Sequence, residues 1–390
     1  MKYKLGEICE IVSGSTPKTS VAEYWDGDIK WITPAELTNE SYIIDDSVRK
    51  LTELGVKKTG LIPFPAGTVI LSSRAPIGKV AIAGCEMYCN QGFKNLICSD
   101  KINNKYLYWF LKGNTAFLNS LGRGATFKEI SKGIVGDIEI NVPDAESQNR
   151  AVCNLEKISE VIKLRKKELF ALDKLIKAQF VEMFGDPYLN EFGWKKVKIK
   201  NAVTVEPQNG MYKPQSDYVT DRSGVPILRI DGFYDGVVMD FSSLKRLKCS
   251  ENEIQKYLLC EDDVVINRVN SIEYLGKCAH ITDLLEKTVY ESNMMRMHFD
   301  PERFNPVYIT RLLCNRFVYD QIINHAKKAV NQASINQKDV LDFDIYQPPL
   351  RLQNQFATFV RQVNKSKIAV QKGLDEAQTL FDSLMQEYFG

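Results

Sequence analysis

Apolar residues recur at alternating intervals of three and four along two long stretches of this chain. The first stretch contains Leu155, Ile158, Ile162, Leu169, Leu172, Ile176 and Met183. The second contains Val360, Val363, Val370, Leu374, Ala377, Phe381, Leu384 and Tyr388. A period of 3.5 residues that persists over about four heptads is typical of coiled-coil helices. The pattern therefore predicts two long helices that pair through these side chains.

Proline marks the start of each predicted helix, after Pro143-Asp144 and after Pro348-Pro349, and Gly185 ends the first. About 36 residues at 1.5 Å per residue give a rod of roughly 55 Å. Because the two apolar seams share one register, we expect the helices to pair with each other in an antiparallel arrangement. The alternative is that each helix packs only on its own domain. The charged residues Arg165 and Lys367 at seam positions argue against that alternative.

Both stretches belong to a longer internal repeat. Residues 125–185 align with residues 330–390 at a constant offset of 205, with thirteen identities over residues 130–185. Further upstream the offset is smaller, and residues 69–71 match residues 264–266 at an offset of 195. Insertions into loops cost little free energy, whereas an insertion into a packed helix shifts its register. Each copy therefore consists of a front part that tolerates changes in length and a back part that does not.

The front parts are typical of mixed α+β domains. Residues 69–71 and 264–266 follow turns and predict strands, while residues 106–111 and 308–313 predict short amphipathic helices. We expect an α/β (α+β) protein with two globular domains in tandem, each followed by a long helix. The helices would pair as an antiparallel coiled coil with pseudo-twofold symmetry. The predicted domains are 1–143 and 187–348, and the predicted helices are 144–186 and 349–390.

Composition places the chain among ordinary globular proteins. Hydrophobic residues make up 44% and charged residues 26%, and the net charge is +2. A bulk polycation is excluded, so any nucleic-acid site would be a local patch. The nine cysteines are scattered without a Cys-x-x-Cys pair, and the three histidines are dispersed. We therefore expect reduced thiols and no metal. The sequence shows neither a signal-peptide pattern nor an apolar run of membrane-spanning length, which predicts a cytoplasmic protein.

Motifs of catalytic sites are missing from the sequence. The chain has no phosphate-binding Gly-x-x-x-x-Gly-Lys-Ser/Thr motif, and no constellation of serine, cysteine and histidine indicates a nucleophile. Asp186-Pro187-Tyr188 has a superficial likeness to the base-gripping motif of adenine methyltransferases. However, it lacks a proline and follows a helix end, so we interpret it as a linker turn. The chain is predicted not to be an enzyme.

Polar loops occur at matching places in the two copies. Arg, Asn, Gln, Lys and Ser, which dominate these loops, can present paired hydrogen-bonding groups to base edges and donors to phosphates. We predict base readout by Arg74, Asn90, Gln91 and Lys128 in the first copy and by Asn267, Arg268, Asn270, Arg296 and Gln332 in the second. Phosphate contacts are expected from Lys79, Lys277, Lys327 and Lys328, and Arg123 lies in one of the loops.

The order of several motifs, found twice, resembles the specificity subunit of type I restriction-modification systems. The first copy shows Ser13-Gly14-Ser15-Thr16-Pro17, the run from Pro65 to Gly78, Asn90-Gln91-Gly92-Phe93 and Ile140-Asn141-Val142-Pro143 before Gln148. The second copy shows Ile266-Asn267-Arg268, Tyr274-Leu275-Gly276-Lys277 and Tyr290-Glu291-Ser292-Asn293. The resemblance covers the whole chain.

The resemblance implies two target-recognition domains that each read one half of a split sequence in double-stranded DNA. It also implies that the long helices act as a spacer on which two adenine-N6 methyltransferase subunits dock, with restriction and translocase subunits in the full complex. S-adenosylmethionine, and ATP with Mg, would belong to those partners, and this chain would need no cofactor. Alternatives are the specificity subunit of a modification-only or fused methyltransferase system, and a coiled-coil scaffold that does not bind DNA.

The second copy departs from the family pattern near its start. In place of the Ser-Gly-Ser-Thr-Pro run it has Glu206-Pro207-Gln208-Asn209-Gly210-Met211-Tyr212-Lys213-Pro214. This difference leaves open whether the two domains contact DNA through equivalent loops, and it predicts different half-site sequences.

Overall fold

The computed structural model describes residues 1–74, 76–124 and 128–390. Its internal contacts divide the chain into two units: Met1–Lys167 with Gln371–Gly390, and Glu168–Val370. Each unit therefore contains one front part, the beginning of one long helix and the end of the other. The division into domains and spacer helices at residues 143, 186 and 348 is not tested by this clustering and remains a prediction.

The front part of the first unit is built from short strands and helices. Its strands are β1 Lys2–Lys4, β2 Cys9–Val12, β3 Trp25–Ile32, β4 Ile43–Ile44, β5 Arg49–Leu51, β6 Val69–Leu71, β7 Val80–Ala83, β8 Tyr88–Cys89, β9 Asn95–Cys98 and β10 Glu139–Asn141. Its helices are α1 Leu5–Ile8, α2 Glu53–Thr59, α3 Asn104–Gly113, α4 Thr115–Ser120 and α5 Lys132–Gly136, and the long helix α6 Ala145–Phe184 begins here.

The second front part is richer in short strands. Its strands are β11 Lys195–Lys198, β12 Val203–Asn209, β13 Tyr218–Val219, β14 Val225–Leu228, β15 Phe233–Tyr234, β16 Gly236–Val238, β17 Arg246–Leu247, β18 Val264–Asn267, β19 Val269–Asn270, β20 Cys278–His280, β21 Val289–Tyr290, β22 Met294–Phe299, β23 Lys327–Lys328, β24 Ala333–Ser334 and β25 Asp344–Gln347. Its helices are α7 Glu251–Tyr257, α8 Pro306–Leu313, α9 Arg316–His325 and α10 Gln337–Leu341, followed by the long helix α11 Leu350–Phe389.

The two front parts share one sheet topology over the described residues. The sheet β2-β9-β6-β7-β4 has the same order as β12-β22-β18-β20-β16, to which β15 is added at the edge. The sheet β5-β3-β8 corresponds in the same way to β17-β14-β21, extended by β13. In both copies the third small sheet pairs the first strand with the last, as β1-β10 and β11-β25.

The long helices run antiparallel in each unit. In the first unit the amide of Asn154 donates to the hydroxyl of Tyr388 at 2.9 Å, and a Cβ built on Gly373 would lie 3.6 Å from Arg165 Nε. In the second unit Lys367 Nζ donates to Asp173 Oδ1 at 2.6 Å. The charged seam position at Lys367 is therefore neutralised by the facing helix. The predicted mixed fold with two long, antiparallel helices is confirmed.

The ends of the long helices also complete the front-part cores, which the sequence pattern did not indicate. Ile176, Phe180 and Phe184, near the end of α6, belong to the core of the second unit together with Phe356 and Val360 from the start of α11. The core of the first unit contains Ala151, Val152 and Leu155 from the start of α6. Side chains from the end of α11 pack against it: Phe381, Leu384, Met385, Tyr388 and Phe389.

The short helix predicted at residues 106–111 is present as α3, and it is buried more completely than the pattern indicated. All six of these residues in α3 are buried, because the sheet covers one side and the end of α11 covers another. The ring of Tyr106 lies 4.9 Å from that of Phe389. In the second unit the equivalent ring of Tyr308 in α8 lies 4.6 Å from that of Phe184.

The twelve side chains predicted to pair the helices are all buried or half-buried. They are Leu155, Ile158, Ile162, Leu169, Leu172, Ile176, Val360, Val363, Val370, Leu374, Phe381 and Leu384. Those near the helix ends contact the front-part cores as well, as Leu155 and Ile176 do. No helix within the described residues is long and apolar enough to cross a membrane.

Candidate nucleic-acid interface

In the first unit the main chain joins the three predicted polar loops into one surface. The amide of Ser73 donates to the carbonyl of Gly92 at 2.8 Å, and the amide of Ile130 donates to the carbonyl of Ser73 at 3.0 Å. Arg123 and Glu129 exchange two main-chain hydrogen bonds of 3.0 Å. We call residues 72–74, 90–92, 123–124 and 128–130 the first loop cluster. Residues Ala75, Ala125, Thr126 and Phe127 of the predicted loops lie outside the described residues.

The second unit repeats this construction. The amide of Arg268 donates to the carbonyl of Asn293 at 2.8 Å, and the amide of Ile335 donates to the carbonyl of Arg268 at 2.9 Å. The hairpin of β23 and β24 lies beside β19, with Val269 opposite Ser334. We call residues 267–270, 291–293 and 327–335 the second loop cluster. Arg268 occupies the place that Ser73 has in the first cluster, so one scaffold carries different side chains.

Side chains of the first loop cluster form a basic surface around one carboxylate. Lys94 Nζ donates to Glu129 Oε1 at 3.1 Å and to Ser73 Oγ at 3.3 Å. Arg74 is about one-third exposed, and its Nη1 atom lies 4.0 Å from Glu129 Oε2. Arg123 and Lys128 are exposed. These two cations are therefore available to an anionic partner.

The predicted amide side chains of the first cluster are partly used within the loops. Asn90 Oδ1 accepts a hydrogen bond of 2.9 Å from the amide of Gly92, which leaves its two N–H donors for other acceptors. Gln91 is exposed, and its Oε1 atom accepts a hydrogen bond of 2.6 Å from the hydroxyl of Thr16. Both side chains can therefore present amide donors at the surface.

The second loop cluster is basic on the first strand of its hairpin, β23. Lys327, Lys328 and Gln332 are exposed. Arg268 Nη1 donates to the carbonyl of Ser292 at 3.2 Å, and Asn270 Oδ1 accepts from the amide of Ser271 at 2.8 Å. The local anchors hold these two side chains in place and leave donors for an external acceptor.

Three of the predicted DNA-binding side chains are either bonded to other residues of the protein or fully buried. Lys79 Nζ donates to the carbonyls of Leu37 at 2.5 Å and of Pro34 at 3.5 Å. Asn267 is fully buried. The guanidinium of Arg296 pairs with the buried carboxylate of Asp263, with 3.3 Å between Nη1 and Oδ2. Exposed and buried polar residues have the same appearance in a sequence, so the loop pattern could not distinguish these three.

The side chain of Lys277 is half-buried and lies against two aromatic rings. Its ammonium lies 4.3 Å from the ring centroid of Tyr234 and 4.0 Å from that of Tyr274. Burial lowers the pKa of the Lys277 ammonium. The two rings hold the side chain by cation–π attraction. Tyr234, Lys277 and Arg316 line a neighbouring cavity of about 450 Å³.

Replacing Arg296 with methionine should destabilise the second unit by about 3 kcal/mol, because it removes the main cationic partner of a buried carboxylate. Asp263 is 1% exposed and would keep its contact with His298, at 3.1 Å between Nδ1 and Oδ1. Urea unfolding of the two proteins measures the change. The matched control is Arg316→Met, since Arg316 is 83% exposed and its ion pair with Asp320 contributes little. Equal stability of the two variants would contradict the structural role of Arg296.

The loops near the start of each front part are equivalent, although their sequences differ. A Cβ on Gly14 would lie 1.8 Å from the carbonyl oxygen of Cys89, and a Cβ on Gly210 would lie 2.2 Å from that of Glu291. Each glycine thus lets the loop pass directly over the strand that leads into the loop cluster. This close approach requires glycine in both copies. The loops therefore occupy equivalent places in the two copies despite the missing Ser-Gly-Ser-Thr-Pro run, and whether both contact DNA remains a prediction to be tested.

Acidic residues of both clusters were missed by the sequence reasoning, which looked for donors. Glu129 lies between Arg74 and Lys94 in the first cluster. In the second, Glu291 Oε1 accepts a hydrogen bond of 2.6 Å from the amide of Ile230, and burial raises the pKa of this carboxyl. A carboxylate can accept a hydrogen bond from the amino group of cytosine. The signal that could have revealed Glu129 is its position next to Lys128 in an otherwise basic loop.

Within the described residues, no group of three or more His, Cys, Asp or Glu side chains could hold a metal ion. The nine cysteines are free thiols.

Comparison with known proteins gives one consistent answer. Residues 1–174 match the family model of the type I restriction modification DNA specificity domain. The specificity subunit of the type I restriction enzyme MjaIX from Methanocaldococcus jannaschii is 29% identical over 411 residues, which cover 98% of this chain and 90% of that protein. The specificity subunit of the EcoKI enzyme from Escherichia coli is 23% identical over 335 residues, covering 80% of this chain and 70% of its own length.

Solved structures agree at the level of the fold. The crystal structure of the S subunit of a type I restriction-modification system from M. genitalium superposes with a TM-score of 0.62 at 13% identity. The alignment covers 100% of this chain and 96% of that one.

Proposed function

We propose that the chain, which is similar to specificity subunits of type I restriction-modification systems, is itself such a subunit and reads a DNA target made of two separated half-sites. Specificity subunits of type I systems are non-catalytic DNA-recognition proteins. Within such a complex this chain would select the sequence, while its partners would modify and cut the DNA. We place the complex in the cytoplasm.

The observation that carries the proposal is the pair of loop clusters. The same main-chain hydrogen bonds build both clusters, with Ser73 bonded to Gly92 and Ile130 in one and Arg268 bonded to Asn293 and Ile335 in the other. Two domains that recognise different half-sites require a shared main-chain scaffold that carries different side chains.

We assign the exposed and half-exposed polar side chains of the clusters to the DNA. They are Arg74, Asn90, Gln91, Arg123 and Lys128 in the first cluster, and Arg268, Asn270, Lys327, Lys328 and Gln332 in the second. Arginine and amide side chains form paired hydrogen bonds with guanine and adenine edges, each worth about 1–3 kcal/mol of discrimination. Lysine ammonium groups are better suited to phosphates. We leave Lys79 and Arg296 out of this surface because they are bonded within the protein, and Asn267 because it is fully buried.

The long helices would serve as the spacer and as the docking surface for partners. Several large apolar side chains on them are exposed: Val161, Leu164, Phe170, Val181, Ile368 and Leu380. We propose that two adenine-N6 methyltransferase subunits cover such positions, and that restriction subunits join the complex through them. A relative at 18% identity and a TM-score of 0.60 comes from a structure titled for the complex assembly of a type I system. S-adenosylmethionine and ATP with Mg would then be bound by the partners.

Duplicating the first front part tests the proposal. The variant carries a second copy of residues 1–143 in place of residues 187–348, with both helices unchanged. The complex with the methyltransferase partner is given S-adenosylmethionine and a randomised DNA library, and methylated sites are sequenced. Because the two copies are related by pseudo-twofold symmetry, we expect a target that contains the first half-site twice in inverted orientation, while the spacer length stays the same. A target that keeps both original half-sites would contradict the assignment of readout to the front parts.

Replacing Lys327 and Lys328 with glutamine should weaken binding to every DNA sequence by a similar factor. Because each phosphate contact contributes about 0.9 to the slope of log affinity against log salt, we expect the slope to fall by about 1.8. Binding measured by fluorescence anisotropy at several salt concentrations provides the slope. The control is Lys287→Gln, which removes the same charge from an exposed position outside the cluster. A sequence-dependent loss for the double variant would show that these lysines read bases.

A further inference from the structure

The junction between each front part and its long helix is closed by a buried glutamine. In the first unit Gln148, in the first turn of α6, accepts a hydrogen bond of 2.8 Å from the amide of Asn103. Its own amide donates to the carbonyls of Pro143 at 2.9 Å and Lys101 at 3.2 Å. Gln148 is 3% exposed. One side chain thereby connects the helix to two different segments of the front part.

The second unit contains the same arrangement around Gln353. This side chain accepts from the amide of Asn305 at 2.8 Å and donates to Pro348 at 2.8 Å and Arg303 at 3.0 Å. Gln353 is 0% exposed. Two independent units therefore hold the start of a long helix with the same three hydrogen bonds.

An asparagine pair lies next to each glutamine. The side-chain amide of Asn103 donates to Asn149 Oδ1 at 2.9 Å, and that of Asn305 donates to Asn354 Oδ1 at 2.9 Å. Asn103 also caps α3, since its Oδ1 accepts from the amide of Lys105 at 2.8 Å. The buried helix of the front part and the first turn of the long helix are thus tied to one residue.

The angle between the front part and the long helix matters because a small tilt at the first turn displaces the far end of the helix. Forty residues at 1.5 Å per residue make a rod of roughly 60 Å. A tilt of about 5° at its first turn would move the far end by about 5 Å, which exceeds the rise of about 3.4 Å per base pair. A junction held by apolar packing would allow such tilts more readily, because dispersion contacts have no fixed direction whereas hydrogen bonds do.

We propose that Gln148 and Gln353 are positioning residues that fix each recognition surface on its helix and so set the accuracy with which the DNA spacer is measured. The inference rests on the proposed function. It predicts that these residues govern tolerance to spacer length and leave half-site sequence preference unchanged. A glutamine that served only stability would lower methylation of all DNAs alike.

The test compares Gln148→Leu, Gln353→Leu and the wild type as full chains in complex with the methyltransferase partner. The substrates are duplexes that carry the target found by sequencing methylated sites, the same duplexes with one base pair added to or removed from the spacer, and duplexes with one changed base in a half-site. The ratio of methylation rates for the correct and altered spacer should fall by about tenfold in the variants, since a misplacement of about 1 Å can change a rate by about a hundredfold. The ratio for the altered base should stay at the wild-type value.

Control variants distinguish a failure of the positioning role from misfolding and from a failure of the proposed function. Gln355→Leu changes an exposed glutamine two residues beyond Gln353 and should keep both ratios. An unchanged spacer ratio in the folded Gln148→Leu and Gln353→Leu variants overturns the positioning role, and so does a parallel fall of both ratios. If the leucine variants do not fold, Gln148→Met and Gln353→Met, which also lack the three hydrogen bonds but match the unbranched shape of glutamine more closely, take their place, and an unchanged spacer ratio there overturns the proposal equally. A wild-type complex without any spacer preference would refute the proposed function itself.

Discussion

Removing seven residues from both long helices is expected to shorten the recognised spacer by about three base pairs. The deletions are 168–174 in α6 and 366–372 in α11, which remove the ion pair of Asp173 and Lys367 together. Each helix loses about 10.5 Å, the length of about three base pairs. Because one heptad is deleted, Ile176 takes the seam position of Leu169 and the apolar faces stay aligned.

Methylation of the original target should fall by at least about a hundredfold in this variant, since a three-base-pair error also rotates one half-site by about 100° around the duplex. Sequencing of methylated sites shows whether a new target with unchanged half-sites and a shorter spacer replaces the old one. The control deletes 168–174 only, which leaves Lys367 without Asp173 and misaligns the seams, and should abolish methylation. If the paired deletion retained the original spacer, the helices would not be the ruler.

Removing residues 378–390 should unfold the first unit while sparing the second. The truncation eliminates five apolar side chains that pack on the first core: Phe381, Leu384, Met385, Tyr388 and Phe389. Full burial of one such side chain contributes about 1.5–3 kcal/mol, so losing five partly buried ones costs on the order of 5 kcal/mol. That loss is comparable with the whole stability of a typical domain. The core around Phe180, Phe184 and Phe356 in the second unit loses none of its members.

Hydrogen–deuterium exchange measured by mass spectrometry resolves the two units in the truncated protein. We expect fast exchange in the strands β6 and β9 of the first unit and unchanged protection of β18 and β22 in the second. Two neighbouring substitutions provide the control. Phe381→Ala should destabilise the first unit by about 2 kcal/mol, whereas Leu380→Ala, at a side chain that is 51% exposed, should change it by less than about 0.5 kcal/mol. Full protection of the first unit after truncation would contradict this packing.

The repeat and the 3.5-residue period were sufficient to predict most of the fold. They predicted the long helices, their antiparallel pairing and the strands at residues 69–71 and 264–266, because periodicity reports directly which face of an element is buried. The same pattern could not show that Phe381 and Phe389 enter the first core. A seam residue that packs on a facing helix and one that packs on a domain are equally apolar.

The candidate surface was predictable as a set of loops and less so residue by residue. Three polar loops at matching places in two copies predicted DNA contacts without showing how the loops lie, and the structure joins them through the bonds of Ser73 and Arg268. The individual roles depend on neighbours that are distant in sequence. Arg296 forms an ion pair with Asp263, which lies 33 positions earlier in the sequence. Gln148 and Gln353 are aligned and identical in the repeat. The sequence did not indicate their hydrogen-bond partners, which the structure shows.

The completion of the first core by the end of α11 has a consequence for synthesis. Tyr106 and Tyr388, whose hydroxyl and carbonyl oxygens lie 3.5 Å apart, are separated by 282 residues. At a translation rate of about 5–20 residues per second, roughly 15–55 s pass between the appearance of α3 and that of its last partner. During that interval the nascent first unit exposes the apolar face of α3. The second unit can bury its own core as soon as the start of α11 has left the ribosome, so the half of the protein that is made first is the half that finishes folding last.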